Sequence, residues 1–295
     1  MSEPPGTSAA SEQSGQQPAC PRHPDRRTGL RCARCDRPAC PECLREAPVG
    51  YHCVDCLKQS GARTRAPEPV TVAGARLRRS PLVVPAIVVA NVVVFVLTAV
   101  QAGSGSRNYA SPLFTDFAML PMPVAAGQWW RLVATGFLHI GLLHLVMNMI
   151  ALWVIGKDLE LVLGRARFAA VYALALLGGS TAVFLFGDLG SPVAGASGAV
   201  YGLMGGIAVA ALRLRVSLRP VLIVIAINIV FTVSLPGISL LGHLGGLLTG
   251  AVATGALVYA PRSRQAAWQS GGLGALLLLM IVLIVVRTGQ LGLVS

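Results

Sequence analysis

Two sets of residues in this chain have side chains and spacings suited to chemistry, and the first is a serine–histidine pair. Ser197 lies in the segment Gly195-Ala196-Ser197-Gly198, and His243 follows further along the chain. A serine becomes a nucleophile when a histidine accepts its proton, and free backbone N–H groups at a helix start can stabilise an oxyanion. The segment alone is a weak signal, because glycine-flanked serines are common at helix starts. The pair predicts serine chemistry only if the fold brings both side chains to the same height along their helices.

The second set is a block of seven cysteines and one histidine near the N-terminus. Its members form four pairs with two residues between partners: Cys20 and His23, Cys32 and Cys35, Cys40 and Cys43, and Cys53 and Cys56. This spacing is typical of tetrahedral structural zinc sites, so the eight ligands predict two Zn²⁺ ions. Disulfides are the alternative, but the odd cysteine count and a reducing cytosol argue against them. In so short a segment the metal would supply most of the folding free energy.

The composition places the rest of the chain in a membrane. Of 295 residues, 54% are hydrophobic and only 12% are charged, whereas about a quarter of the residues of a soluble domain are charged. The mean hydropathy is +0.66. These values exclude an ordinary soluble domain.

Seven segments are long and apolar enough to be candidate spans. They cover about residues 81–101, 137–156, 168–187, 194–212, 219–235, 238–259 and 271–287. The fifth is short and the sixth is rich in glycine, so the apolar pattern does not mark their ends sharply. The sequence predicts a multi-pass membrane protein.

The basic residues predict the orientation of these spans. With a cytosolic N-terminus, the cytosolic side receives Arg76, Arg78, Arg79, Lys157, Arg165, Arg167, Arg213, Arg215, Arg219, Arg262 and Arg264. The outer side keeps only Arg107, Arg131 and Arg287. This asymmetry predicts a cytosolic N-terminus and an outer C-terminus, and the expected location is the plasma membrane. It also accounts for most of the net charge of +12, so no nucleic-acid partner is expected.

Polar side chains within spans are costly and therefore mark candidate sites. They are His139, His144, Asn148, Ser197, Tyr201, Asn228 and His243. Ser197 is predicted about four residues into the fourth span and His243 about five into the sixth, so both lie within roughly 10 Å of the outer surface. The two residues are therefore predicted to lie at the same depth in the membrane.

Glycines repeat every four residues beside both of these side chains. The fourth span carries Gly198, Gly202 and Gly206, and the sixth carries Gly242, Gly246 and Gly250. Such stripes let two helix backbones pack closely. If the stripes face each other, Ser197 and His243 come within hydrogen-bonding distance.

No carboxylate has a spacing that ties it to His243. The acids after residue 80 are Asp116, Asp158, Glu160 and Asp188. The sequence therefore predicts a dyad, with the imidazole held by packing. Tyr201, one helical turn below Ser197, is the ring expected to stack on it.

The second span carries further polar donors. His144 and Asn148 are four residues apart and share a face, so they can complete an oxyanion site. A metal site formed by His139, His144 and His243 is the alternative, but the HExxH pattern is missing and no carboxylate is near. No cofactor is expected for catalysis.

Together these residues resemble the motifs of the rhomboid family of intramembrane serine proteases over residues of about 80 to 260. The matching elements are Trp130-Arg131, the run His139 to Asn148, Gly195-Ala196-Ser197-Gly198 with Tyr201, and His243-Leu244-Gly245-Gly246. The resemblance implies an all-α polytopic membrane protein with a six-helix core. The seventh span looks like the family variant with one C-terminal helix added.

By this resemblance Ser197 is the nucleophile and His243 the general base. His144, Asn148 and the Ser197 amide form the oxyanion hole, Gly195 supports it, and Tyr201 packs on the base. The implied activity is a serine endopeptidase that cleaves single-pass or polytopic transmembrane substrates near the outer face of the bilayer. His139 looks structural.

The cysteine block looks like a B-box or a related cross-braced zinc finger. In that resemblance the first and third pairs share one ion and the second and fourth share the other, while sequential pairing stays open. The predicted organisation is a disordered segment 1–19, a zinc finger 20–56, a basic linker 57–79, a protease core 80–260, and a loop with the seventh helix 261–295.

The main alternative function is a non-catalytic membrane adaptor that recruits partners through the zinc finger, and a transporter comes third. Under both the protease and the adaptor hypothesis, the zinc finger is a candidate binding site for a cytosolic protein partner. An active protease loses turnover on Ser197→Ala, whereas an adaptor is indifferent to it.

Overall fold

The computed structural model describes residues 17–47, 49–63, 69–234 and 237–292. The chain divides into two compact units, Met1–Glu68 and Pro69–Ser295. The predicted disordered segment 1–19 lies almost entirely outside the described residues.

The first unit is small and contains little regular structure. Strands β1 (Ala19–Cys20) and β2 (His23–Arg27) form an antiparallel pair, as do β3 (Leu44–Glu46) and β4 (Tyr51–Cys53). Helix α1 (Val54–Arg63) follows directly. Six of the seven cysteines are buried and form its core together with Ala39 and Leu44. Side chains that could ligate a metal ion thus occupy the place of an apolar core.

The second unit is helical. Its long helices are α2 (Val83–Ala102), α6 (Gly141–Leu163), α7 (Arg165–Phe186), α8 (Ser197–Leu214), α9 (Arg219–Ser234), α10 (Leu240–Val258) and α11 (Gln265–Gln290). Three short helices lie between α2 and α6: α3 (Pro112–Phe117), α4 (Pro121–Ala125) and α5 (Arg131–Ala134). Each of the seven predicted apolar segments corresponds to one long helix.

Not every one of these helices spans a bilayer by length alone. Among the described residues, five are long and apolar enough, and α6 adds a sixth when it is joined to the segment Arg131–Phe137 across a 92° bend. Helix α9 has 16 residues, about 24 Å, which is short of a hydrocarbon core of about 30 Å. The predicted end of this span, residue 235, lies outside the described residues.

Several predicted boundaries were wrong. Helix α6 continues to Leu163, past the predicted end at 156, because charged residues ended the apolar pattern but not the helix. The fourth span begins at Ser197 rather than at 194. Within the predicted basic linker 57–79, residues up to Arg63 are helical and Ala73 is fully buried.

Glycines bring α7, α8 and α10 into backbone contact at the centre of the bundle. A Cβ atom on Gly246 or Gly250 would overlap the backbone of Gly198 or Gly202, and one on Gly179 would lie 2.6 Å from the carbonyl oxygen of Gly242. The predicted stripes of α8 and α10 therefore face each other, and α7 packs against both. Large apolar side chains on the outer faces stay exposed, as expected of lipid-facing surfaces.

A buried carboxylate holds the start of α2. Glu160 on α6 is 2% exposed and accepts hydrogen bonds from the backbone N–H groups of Leu82 and Val83 (Oε1, 2.7 and 3.0 Å) and of Val84 (Oε2, 2.9 Å). These are N–H groups that the first turn of a helix leaves without intrahelical partners. Glu160 therefore acts as a long-range N-cap, a role that the sequence analysis did not predict.

Candidate active site

Ser197 and His243 lie in hydrogen-bonding contact. The distance from His243 Nε2 to Ser197 Oγ is 2.8 Å. Ser197 is the first residue of α8, not about four residues into a span as predicted, whereas His243 is the fourth residue of α10, close to the predicted depth of about five. Both side chains are at the same ends of two helices whose glycines face each other, so close helix packing is what brings them together.

Tyr201 stacks on the imidazole of His243. The ring centroids are 4.0 Å apart and the ring planes differ by 14°. Tyr201 is one turn along α8 from Ser197, and its ring is 4% exposed. The stacked ring limits rotation of the imidazole.

The segment before Ser197 is fixed by backbone hydrogen bonds. Val193 forms an isolated antiparallel bridge with Met119, and the N–H of Gly195 donates to the carbonyl oxygen of Thr135 (3.1 Å). Thr135 Oγ1 also donates to the carbonyl oxygen of Val193 (2.6 Å). These bonds set the position at which α8, and therefore Ser197, begins.

Gly195 is a position where only glycine fits. Its φ is +136°, a conformation that side chains disfavour, and a Cβ atom there would lie 2.9 Å from Cε1 and 3.0 Å from Nε2 of His144. The edge of the His144 ring thus faces the loop that leads to Ser197. Its other nitrogen, Nδ1, accepts from the backbone N–H of Ile140 (3.3 Å).

Asn148 and His139 take other positions. Asn148 Nδ2 donates to the carbonyl oxygen of His144 one turn earlier on α6 (3.0 Å). His139 is fully buried, packs edge-on against His144 at 5.1 Å, and lies with Nε2 3.5 Å from the backbone N of Ala196. His139, His144 and His243 are the alternative metal site in the sequence analysis. Among the described residues, these three histidines do not form a group whose ligand atoms could hold one metal ion.

A third residue, which the sequence analysis missed, touches both His243 and Tyr201. Thr232 Oγ1 on α9 lies 2.8 Å from Nδ1 of His243 and 2.6 Å from the hydroxyl oxygen of Tyr201. The prediction that packing alone holds the imidazole was therefore incomplete. A search for carboxylates could not find it, since a threonine in an apolar helix costs little and carries no signal by itself.

The four predicted cysteine and histidine pairs gather into two groups. Cys20, His23, Cys40 and Cys43 form one group, and Cys32, Cys35, Cys53 and Cys56 form the other. In each group all ligand atoms lie within 4.8 Å of one another. The first pair thus meets the third and the second meets the fourth, as in a cross-braced finger.

The donor chemistry of these groups fits a divalent cation. A backbone hydrogen bond from Cys40 is the largest of the influences that lower the pKa of Cys20 to about 6. Burial and the thiols of Cys40 and Cys20 raise the pKa of Cys43 to about 11, and a hydrogen bond with Cys35 and burial raise that of Cys56 to about 12. Crowded thiols that cannot all ionise alone are stabilised as thiolates by a metal ion.

Comparison with known proteins identifies the helical unit. Residues 126–261 match the rhomboid domain. Rhomboid protease GluP of Bacillus subtilis is 36% identical over 173 residues, which cover 57% of this chain and 32% of that protein. RHOMBOID-like protein 4 of Arabidopsis thaliana is 30% identical over 207 residues, covering 58% and 51%. The putative rhomboid protease YdcA of B. subtilis is 40% identical over 82 residues, covering 28% and 41%.

These matches define the chain as a multi-pass membrane protein that contains a rhomboid domain, with a small Cys/His-rich module before it. The chain spans between about a third and about a half of the length of these curated relatives. Ser197 and His243 both lie within the matched residues.

Proposed function

We propose that this chain is an intramembrane serine endopeptidase in which Ser197 is the nucleophile and His243 is the general base. The observation that carries the proposal is the 2.8 Å contact between Ser197 Oγ and His243 Nε2 at the start of α8. Relatives that are named proteases support the reaction class.

In the proposed reaction, His243 Nε2 takes the proton of Ser197 as Oγ attacks the scissile carbonyl. The protonated imidazole then gives this proton to the leaving amine, which breaks the C–N bond and leaves an acyl-enzyme. A water molecule loses a proton to His243 and attacks the ester. Collapse of that intermediate returns the proton to Ser197 and releases the carboxylic acid.

The oxyanion is proposed to bind the backbone N–H of Ser197 and the side chains of His144 and Asn148. The position of Ser197 at a helix N-terminus supports the first donor, and the closeness of His144 to Gly195 supports the second. Asn148 has two amide hydrogens and uses one for the carbonyl oxygen of His144, which leaves one for a substrate.

The proposed substrates are transmembrane proteins, cleaved near the outer face of a plasma membrane. The basic residues favour a cytosolic N-terminus and an outer C-terminus. Ser197 and His243 then lie at the outer ends of α8 and α10, where water is available. Because a helix must unwind before its carbonyls can be attacked, segments with Gly, Ser or Pro are the expected cleavage sites.

We further propose that the first unit binds two structural Zn²⁺ ions and offers a cytosolic protein a docking module. Each ion would be held by one four-ligand group, and the metal would stabilise a unit with little other core. The metal takes no part in peptide hydrolysis.

The test is cleavage of a generic transmembrane substrate in liposomes by the wild type, Ser197→Ala and His243→Ala. We expect cleavage by the wild type alone, with both variants folded. Cleavage that survives Ser197→Ala refutes the serine mechanism. Cys32→Ser serves as the matched control outside the site: it should unfold the first unit and leave cleavage largely intact.

A further inference from the structure

Thr232 occupies an unusual place on α9. Most apolar side chains of this helix are exposed, in keeping with a lipid-facing surface, and Asn228 is hydrogen-bonded to its own helix. Among the residues of α9, all of which the structure describes, Thr232 is the only buried one. Its hydroxyl contacts both the hydroxyl group of Tyr201 and the imidazole of His243.

The hydroxyl of Thr232 has three hydrogen-bonding neighbours. Oγ1 lies 2.8 Å from the carbonyl oxygen of Asn228, 2.6 Å from the Tyr201 hydroxyl and 2.8 Å from His243 Nδ1. A hydroxyl has one hydrogen to donate and two lone pairs that accept. The carbonyl oxygen can only accept, so this bond forms only if Thr232 donates its single hydrogen to it.

The other two bonds then have a fixed direction. Tyr201 must donate its hydroxyl hydrogen to Thr232, and His243 must carry a hydrogen on Nδ1 and donate it to the same oxygen. The neutral imidazole consequently has its free lone pair on Nε2, which faces Ser197. This is the tautomer that a general base for Ser197 requires.

We propose that Thr232 is a positioning residue that selects the Nδ1–H tautomer of His243 and fixes the orientation of its ring. The inference rests on the proposed function, because it assigns to a hydroxyl the orienting part that a carboxylate plays in a triad. Nδ1–H keeps the same acceptor when His243 becomes the imidazolium, so the ring does not need to rotate during the reaction.

The experiment compares two substitutions at one position in the full-length protein. Thr232→Val keeps the shape and removes the hydroxyl, whereas Thr232→Ser keeps the hydroxyl. The readout is the second-order rate at which a fluorophosphonate probe labels Ser197, which needs no natural substrate. We expect Thr232→Val to lower this rate by about 10- to 100-fold and Thr232→Ser to restore most of it.

Thr181→Val is the matched control for the loss of a buried hydroxyl in a span. Thr181 is 4% exposed and also donates to the carbonyl oxygen four residues earlier, that of Leu177 (2.7 Å). Within the described part of the chain, no hydrogen bond joins Thr181 to Ser197, His243 or Tyr201. An equal loss of labelling in Thr181→Val would show a general packing effect and overturn the proposal.

A second readout follows the tautomer itself. The ¹⁵N chemical shifts of the His243 imidazole, assigned by their loss in His243→Ala, should report hydrogen on Nδ1 in the wild type and in Thr232→Ser. Thr232→Val should shift the populations toward the Nε2–H tautomer. Unchanged shifts and an unchanged labelling rate in Thr232→Val would overturn the role of Thr232 while leaving the serine mechanism intact. A wild type that the probe does not label would instead contradict the proposed function.

Discussion

The two units of this chain bury polar groups by different means. In the first unit, eight side chains from four short sequence pairs converge on two ligand groups, and the cysteines themselves form the core. In the second, neighbouring helices meet through glycines, and several buried polar side chains form hydrogen bonds across large sequence separations. A metal-ligand unit depends on local spacing, whereas a helix bundle depends on distant contacts that must all form together.

This difference predicts how each unit fails. With the proposed metal ions bound, the first unit should unfold as a whole when they are removed, because it has little other core to stabilise it. The stability of the second unit should fall by an amount that depends on which contact is changed. A side chain that overlaps a neighbouring helix backbone should lower it more than the loss of a hydrogen bond does.

Metal removal should have the largest effect. A strong chelator should unfold the first unit of the full-length protein, since zinc binding to such a site supplies about 10 kcal/mol of folding free energy. Hydrogen exchange of residues 20–56, read by mass spectrometry beside the metal content, measures this. Protected amides in a metal-free sample would contradict it, and residues 141–258 should exchange unchanged as the internal control.

Adding a methyl group to a glycine of the α10 stripe should have the next largest effect on stability. Gly250→Ala puts Cβ into the backbone of Gly202, which cannot move aside as a side chain can, so we expect a loss of about 3 kcal/mol. Gly255→Ala, on the same helix, meets only Val209 at 4.0 Å and should be tolerated. Equal unfolding midpoints of the two variants in detergent would refute close packing of α8 and α10.

Removal of the Glu160 carboxylate should have a smaller but clear effect. Glu160→Ala leaves three buried or partly buried N–H groups of α2 without their acceptor, which should cost about 2 kcal/mol. Asp158→Ala is the control, because this side chain is 60% exposed and its contact with Lys157 is 4.0 Å long. The unfolding temperature of Glu160→Ala should be clearly lower than that of Asp158→Ala. Equal unfolding temperatures would show that the Glu160 cap contributes nothing to stability.

An exposed ion pair should have the smallest effect. In the first unit, Arg26 Nη1 lies 2.6 Å from Glu42 Oε1, and the two side chains are 46% and 64% exposed. Water screens such a pair, so Arg26→Ala should leave the metal content and the unfolding temperature of this unit unchanged. A marked loss of metal in this variant would mean that the pair, and not only the ligands, holds the unit together.

The sequence predicted those parts of the molecule that a local or periodic pattern encodes. The eight candidate zinc ligands follow from their two-residue gaps, and the facing stripes of α8 and α10 follow from glycines at every fourth position. The apolar segments gave the number of long helices. They did not give the ends, because α6 stays helical through Lys157 and Asp158 after its apolar pattern stops.

The parts that the sequence did not predict are contacts between different helices, made by residues of ordinary type. Thr232 meets His243 only because α9 packs beside α8 and α10, and nothing in the α9 sequence marks this threonine. Glu160 meets Leu82 from 78 residues away, and an acid after an apolar segment looks like a solvated end. Such contacts depend on how the helices pack, which no single segment contains.

The most direct test of the serine mechanism is the site of covalent labelling by a fluorophosphonate probe, mapped by mass spectrometry in the full-length protein. The 2.8 Å contact between Ser197 and His243 predicts one adduct, on the peptide that contains Ser197. The adduct should be absent in Ser197→Ala and strongly reduced in His243→Ala. Labelling of a different serine, or labelling of Ser197 that does not depend on His243, would contradict the mechanism.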